Sequence, residues 1–447
     1  MKDLTQGSIA NHVVAMAIPM GAGMVFQTLY YFVDLYFVGV LGEHAIAGVS
    51  AAGNATFIVF ALTQVLGVGT VASVSHAVGR KDRDDANLIF NQSLSISALF
   101  GLMTIVFGYL LADVYVSAVA ADNETVLNGT TYLYWFMPGL ALQFAIVSMG
   151  SALRGTGIVK PAMIVQILTL VANTILAPIL IAGWGTGYPM GVAGAGLATT
   201  VSVVIGIILL TVYFVRLEHY VSFNSAQWRP RMAVWWRMLK IGLPAGGEFA
   251  LIFIYVAVTY WAISQFGAAA QAGFGVGSRV MYGIFVPALA IAFAAAPVAG
   301  QNFGARQPDR VRETFRTTAI MCSAVMLVLM ILCQWHPDVL VRVFSKDEEV
   351  ILVGSVFLSI VSWNFVMAGL NTTCSSLFQA LGNTVPALFS SGTRVLTFVL
   401  PTIWLSSQPW FELEHMWYLN VATVVLQTLI ALALLRREMR MRLPALA

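Results

Sequence analysis

The sequence predicts an all-α integral membrane protein, with twelve transmembrane helices in two six-helix bundles related by a pseudo-twofold axis along the membrane normal. Three observations carry this prediction. Of the 447 residues, 59% are hydrophobic and 10% are charged, against about 25% charged in soluble domains, so there is too little polar surface to solvate a globule of this size. The apolar residues arrive in long uncharged runs, each near the ~20 residues that a helix needs to cross a hydrocarbon core. The second half of the chain also repeats the first at a fixed offset. Most soluble-enzyme readings are excluded at once.

Taken in order, the spans begin near residues 12, 45, 88, 128, 160 and 193, then near 238, 270, 314, 350, 386 and 414. An even number of spans returns the C-terminus to the side of the N-terminus, and the basic residues identify that side. Nineteen of the 23 Lys and Arg fall there, from Lys2, Arg80, Lys81 and Arg83 to Arg436, Arg437, Arg440 and Arg442. The opposite side holds Arg342 and Lys346 among Asp113, Asp122, Glu124, Asp347, Glu348, Glu349, Glu412 and Glu414. By the positive-inside rule, both termini are cytoplasmic, and the expected location is the cell (inner) membrane.

The repeat lies at an offset of 225 residues. Pro19 and Gly21 meet Pro244 and Gly246; Gly42, Ala45, Ala47 and Gly48 meet Gly267, Ala270, Ala272 and Gly273; Gly157, Pro161 and Ala162 meet Gly382, Pro386 and Ala387. Six spans per half leave both halves in the same membrane orientation, the parallel type of repeat found in secondary transporters. The expected lobes are 1–225 and 226–447. They are joined by a basic segment from Arg216 to Lys240, whose Trp228, Trp235 and Trp236 suit the membrane interface.

Two acidic residues, Asp34 and Glu248, lie deep within predicted spans, each in the first span of its half. A carboxylate at the bilayer centre costs about 2.5–3.5 kcal/mol on insertion scales, so each is expected to face an aqueous cavity and to take up a proton or a small cation. Gln27, Tyr30 and Tyr31 share the helical face of Asp34. Tyr255 and Thr259 follow Glu248. The fifth span carries Gln166, Thr169 and Asn173 on one face, and the tenth carries Asn364, Asn371 and Ser375. The competing reading of these stripes is interhelical hydrogen bonding, worth about 0.6 kcal/mol per contact; it suits amides better than full charges. Arg279 and Arg394 also fall within spans, either balancing a carboxylate or snorkelling toward an interface. Pro19 and Pro244 occupy matching positions, where each removes a helix hydrogen bond and allows a bend.

Other chemistry is not indicated. Cys322, Cys333 and Cys374 are an odd set within apolar segments and are expected to pack as small apolar side chains. There is no Walker A, HExxH or GxSxG sequence, and the histidines lack metal-ligand spacing. No resident cofactor or metal is therefore expected, Na+ at Asp34 or Glu248 being the one metal-ion alternative. The net charge of +3 is too small to suggest a nucleic acid partner.

The pattern resembles the multidrug and toxin extrusion (MATE) family across the whole chain. The resemblance rests on Ile18-Pro19 through Val33-Asp34 to Val38-Gly39, Val78-Gly79-Arg80, Leu153-Arg154-Gly155-Thr156-Gly157 before Pro161, Pro297 through Gln301-Asn302-Phe303-Gly304, and Gln379-Ala380-Leu381-Gly382-Asn383 before Pro386. It implies two lobes around a V-shaped cavity and export, not enzymatic turnover, of amphipathic and often cationic compounds in exchange for H+ or Na+. It further implies cation coupling at Asp34, Glu248 and Asn173; together with the polar faces above, substrate contacts are expected at Gln27, Tyr30, Tyr31, Asp34, Tyr255 and Asn371, and the protein is expected to function as a monomer. Glu248 matches the acid of the NorM-like branch. Two departures favour H+: Ala177 stands where some relatives carry a second acid, and Asn371 where the NorM-like branch has an aspartate. The alternatives are a lipid-precursor flippase of the same superfamily, against which the span count argues, and a membrane-embedded enzyme.

Overall fold

The computed structural model describes residues 1–119 and 122–443, apart from the side chains of Tyr31, Asp34, Leu35 and Asn54. Its helices are α1 (Ile9–Gly39), α2 (Glu43–Gly79), α3 (Arg83–Val119), α4 (Asn123–Gly155), α5 (Lys160–Ala182), α6 (Val192–Arg216) and α7 (Met232–Ile263). They continue as α8 (Ala268–Gly304), α9 (Pro308–Trp335), the short α10 (Pro337–Arg342), α11 (Glu348–Val361), α12 (Phe365–Ala380), α13 (Val385–Ser406) and α14 (Leu413–Arg442). Among the described residues, 12 helices are long and apolar enough to cross a membrane, with α11 and α12 counted as one span. That span is not the continuous helix expected, because a 3₁₀ turn at Ser362–Asn364 interrupts it. α10 was not anticipated; at six residues it is too short to leave a periodic apolar signal.

Contacts divide the chain into two compact units. Unit 1 is Met1–Asp3 with Ala22–Gly242, and unit 2 is Leu4–Gly21 with Leu243–Ala447. The expected boundary after residue 225 follows the repeat, whereas these units follow packing; the two divisions part at Leu4–Gly21 and at residues 226–242. α1 and α7 each pass from one unit to the other, within two residues of Pro19 and Pro244 respectively.

Within unit 1, α4 packs against α2, α3 and α6, and α5 against α6; within unit 2, α11 and α12 pack against α8 and α14, α12 also against α9, and α13 against α14. The same helix pairing thus appears twice, and the local geometry repeats with it. Left-handed backbone occurs at Gly42 and Gly267, at Lys81 and Arg306, and at Gly157 and Gly382, three pairs separated by the repeat offset. Asp122 caps α4 by accepting from the Thr125 amide at 2.9 Å, and its counterpart Asp347 caps α11 through the Glu349 amide at 2.9 Å. Helices in lipid associate by close packing of small residues. A Cβ on Gly129 of α4 would lie 2.9 Å from the Gly48 carbonyl oxygen of α2, and one on Gly354 of α11 would lie 3.1 Å from that of Gly273 in α8. This crossing is also a repeat pair.

The Trp-rich segment is anchored by protein as well as suited to lipid. Its backbone and indoles dock on α3: Asn91 Oδ1 accepts from the Asn224 amide and from Trp228 Nε1, both at 2.9 Å, and Gln92 Oε1 accepts from the Arg231 amide and Trp235 Nε1, both at 2.8 Å. Asp85 receives Arg80 and Arg237 at 2.7 Å each. The segment before α1 is held within unit 2: Leu4 donates its amide to Gln301 Oε1 at 3.0 Å, while Arg310 Nη2 reaches the Gly7 carbonyl at 3.0 Å and Arg310 Nε reaches Asn302 Oδ1 at 2.8 Å. All three cysteines are buried and free.

Candidate functional site

Glu248 lies near the middle of α7, partly exposed, at a depth where lipid would leave a carboxylate unsolvated. Two hydroxyls answer it. Its Oε1 accepts from Ser375 Oγ of α12 at 2.9 Å and from Ser391 Oγ of α13 at 3.2 Å, and Gln427 Nε2 of α14 donates to the same Ser391 hydroxyl at 3.0 Å. No basic group comes within ion-pair distance of Glu248 among the described residues. Four helices of unit 2 therefore converge on one carboxyl group through neutral donors, which steady it without fixing its charge.

Two turns along α7, Tyr255 gathers a second set. Its hydroxyl accepts from Asn420 Nδ2, Asn420 Oδ1 accepts from Asn364 Nδ2 at 3.2 Å, and its ring lies 4.7 Å from Phe398 and 4.7 Å below the Arg394 guanidinium carbon. The stripe predicted for the tenth span is thereby divided: Asn364 serves Asn420, Ser375 serves Glu248, and Asn371 is partly exposed with its Oδ1 enclosed and unpartnered among the described residues. Thr259 donates its hydroxyl to the Tyr255 carbonyl at 2.8 Å. Arg279, the other basic residue within a span, is exposed on α8.

In unit 1, Asn173 is fully buried, and neither its Nδ2 nor its Oδ1 has a partner among the described residues. Gln166, two turns earlier on α5, faces α1, where a Cβ on Gly23 would collide with its Oε1. Thr169 instead faces α6, its methyl group filling the space beside Gly206. Gln27 is exposed and Tyr30 is partly buried on α1. The side chains of Asp34 and Tyr31 lie outside the described residues, so their expected place in this site is carried by position on α1 alone.

The two carboxylates are not repeat equivalents. The offset carries Asp34 to Thr259 and Glu248 to Gly23, so the acid of the second half sits three turns nearer the start of its helix. At the place of the Glu248–Ser391 pair, unit 1 has Gly23 and Gln166, the amide occupying the room the carboxylate takes in unit 2.

Sequence reading missed Ser391, Asn420 and Gln427. Two weak signals were present: Ser391 and Arg394 are one turn apart on α13, and Asn420 and Gln427 are two turns apart on one face of α14, with Thr423 between them.

Residues 19–179 and 244–405 each match the MatE family model, one match to each half of the repeat. The multidrug export protein MepA of Staphylococcus haemolyticus (strain JCSC1435) is 23% identical over 424 residues, covering 94% of this chain and 92% of that protein. The probable multidrug resistance protein YpnP of Bacillus subtilis (strain 168) is 26% identical over 423 residues, 93% of this chain and 90% of its own length. An outward-facing multidrug resistance MATE family transporter of the MOP superfamily, known as a solved structure, matches with a TM-score of 0.90 over 99% of this chain and 98% of that chain at 23% identity, a likeness of fold.

Proposed function

The chain belongs to the MatE family of membrane transporters, and on that premise we propose that it is a multidrug efflux antiporter exporting amphipathic, cationic compounds in exchange for H+. The observation that carries this reading is Glu248: a partly exposed carboxyl group in the middle of a transmembrane helix, held by two serine hydroxyls and, among the described residues, by no permanent countercharge. Such a group is neutralised either by a proton or by a cationic ligand. The two states exclude each other, which is the condition for exchange. Asp34 plays the same part for substrate in the first half, as the family resemblance implies, with Tyr30 one turn before it on α1 and Asn173 on α5, while Tyr255 lies on the helix of Glu248 in the second half.

H+ is preferred to Na+ because a full Na+ site favours several oxygen ligands and negative charge, and the positions that supply further acids in relatives hold Ala177 and Asn371 here. The names of the relatives support multidrug export. The excess of Lys and Arg on the side of the termini supports a cytoplasmic position for both ends in the cell membrane. One charge moving through 100 mV yields about 2.3 kcal/mol, sufficient to drive accumulation against a gradient.

The test is ethidium efflux from proteoliposomes with pH and Na+ gradients imposed separately. An inwardly directed proton gradient should drive efflux, a Na+ gradient at constant pH should not, and Glu248→Gln should reduce the proton-driven rate by roughly tenfold. Efflux driven by Na+ alone would overturn the choice of ion.

A further inference from the structure

We propose that Arg394, with the Tyr255–Phe398 aromatic surface beside it, is a binding subsite for the carboxylate of an organic ligand, so that unit 2 accepts amphiphiles carrying an acid group as well as cations. The proposal rests on the transport reading for its purpose, but its geometry stands independently of the coupling ion.

Arg394 lies near the middle of α13, the depth at which a guanidinium is most costly in a bilayer. It does not face the lipid side of its helix. Phe389, Leu396, Leu400 and Ile403 form that exposed face, whereas Arg394 falls in the stripe of Ala387, Ser391, Phe398 and Thr402, all four of which are buried. Snorkelling does not explain it, since its guanidinium is laid across the Tyr255 ring at 4.7 Å instead of extending toward a helix end.

A buried or intramembrane arginine ordinarily pairs with a carboxylate. Arg394 has none within 4 Å among the described residues, and its Nε is enclosed without a hydrogen-bond partner. Glu248, whose hydroxyl partner Ser391 is one turn away on the same helix, is already committed to Ser375 and Ser391. Other arginines of this chain illustrate the contrast. Arg237 pairs with Asp85 at 2.7 Å, Arg312 with Asp309 at 2.8 Å and Arg342 with Glu348 at 2.8 Å.

Residual exposure of Arg394, on a helix face whose other members are buried, gives a ligand access to it. The planar fork matches a carboxylate in two parallel hydrogen bonds. The adjoining Tyr255 and Phe398 rings offer an apolar platform, so the fitting ligand is an aromatic or amphipathic acid rather than a small hydrated anion.

The experiment is fluorescence anisotropy on the purified, full-length protein with two probes of one chromophore: rhodamine B, which carries a free carboxylate, and its ethyl ester, which does not. The wild type should bind rhodamine B, and benzoate should displace it without displacing the ester; this arm requires no variant. Arg394→Gln should weaken rhodamine B by roughly tenfold and leave the ester within about twofold, while Arg394→Lys should retain most of the preference for the acid. Equal loss of both probes in Arg394→Gln, or equal displacement of both by benzoate, overturns the proposal, as does rhodamine B binding that is unaffected by either change. Failure of the transport reading would show differently, as absent gradient-driven efflux with these affinities intact.

Discussion

A polar side chain inside a membrane protein is retained against a cost, and Glu248 in unit 2 and Asn173 in unit 1 meet that cost differently. Glu248 has two hydroxyl donors, while Asn173 is fully buried with neither amide atom partnered among the described residues. Enclosing unsatisfied polar atoms costs about 1–3 kcal/mol. Asn173→Leu, similar in volume and apolar, should therefore leave thermal stability in detergent unchanged or higher while reducing ion-coupled efflux. Melting curves and proteoliposome efflux check both halves of this expectation. A marked drop in melting temperature would instead assign Asn173 to packing.

Among the elements, the segment between α6 and α7 is held by neighbouring side chains of α3, Asn91 and Gln92. Gln92 is fully buried and makes four hydrogen bonds to this segment and the first turn of α7, accepting from Arg231 and Trp235 and donating to the Gln227 and Arg229 carbonyls. Gln92→Leu unpairs all four and should speed trypsin cleavage after the exposed Arg231; an unchanged cleavage rate would mean that the remaining contacts suffice. At the start of α4, the Thr125 amide and hydroxyl hold the Asp122 carboxyl below the usual carboxylate range, with His44 3.5 Å away adding to the effect. A depressed carboxyl contributes stability above its unfolded pKa of about 3.9 and loses it as pH falls through the lower folded value. Hydrogen exchange at the Thr125 amide should accordingly show the cap intact at mildly acidic pH and opening only below the ordinary carboxylate range. Asp122→Ala should open it at every pH.

At the scale of the whole molecule, the straps before α1 and α7 are clamped in parallel ways. Gln301, Asn302 and Arg310 hold the first in unit 2, and Asn91, Gln92 and Asp85 hold the second in unit 1. Pro19 and Pro244 stand where each first helix then changes unit. The repeat was legible because its markers are backbone requirements: Gly157 and Gly382 sit at positive φ, where a side chain is strained. The spans were legible from length and apolarity, and Glu248 from the cost of its charge. The partners of Glu248 were not, because Ser391 and Gln427 come from α13 and α14, far along the chain, and serine and glutamine are unremarkable on a helix until the fold brings them together. Unit composition was likewise hidden, since a helix that changes unit at a proline has the same apolar pattern as one that does not.

The central claim is that an intramembrane carboxyl group holds either a coupling proton or the exported cation, never both. It is tested most directly by counting protons released when ethidium binds the purified protein in weakly buffered, sodium-free solution. Wild type should release protons on binding, and both Glu248→Gln and Asp34→Asn should release fewer. Tight ethidium binding by the wild type with no proton release, and an affinity unchanged between acidic and neutral pH, would contradict the account.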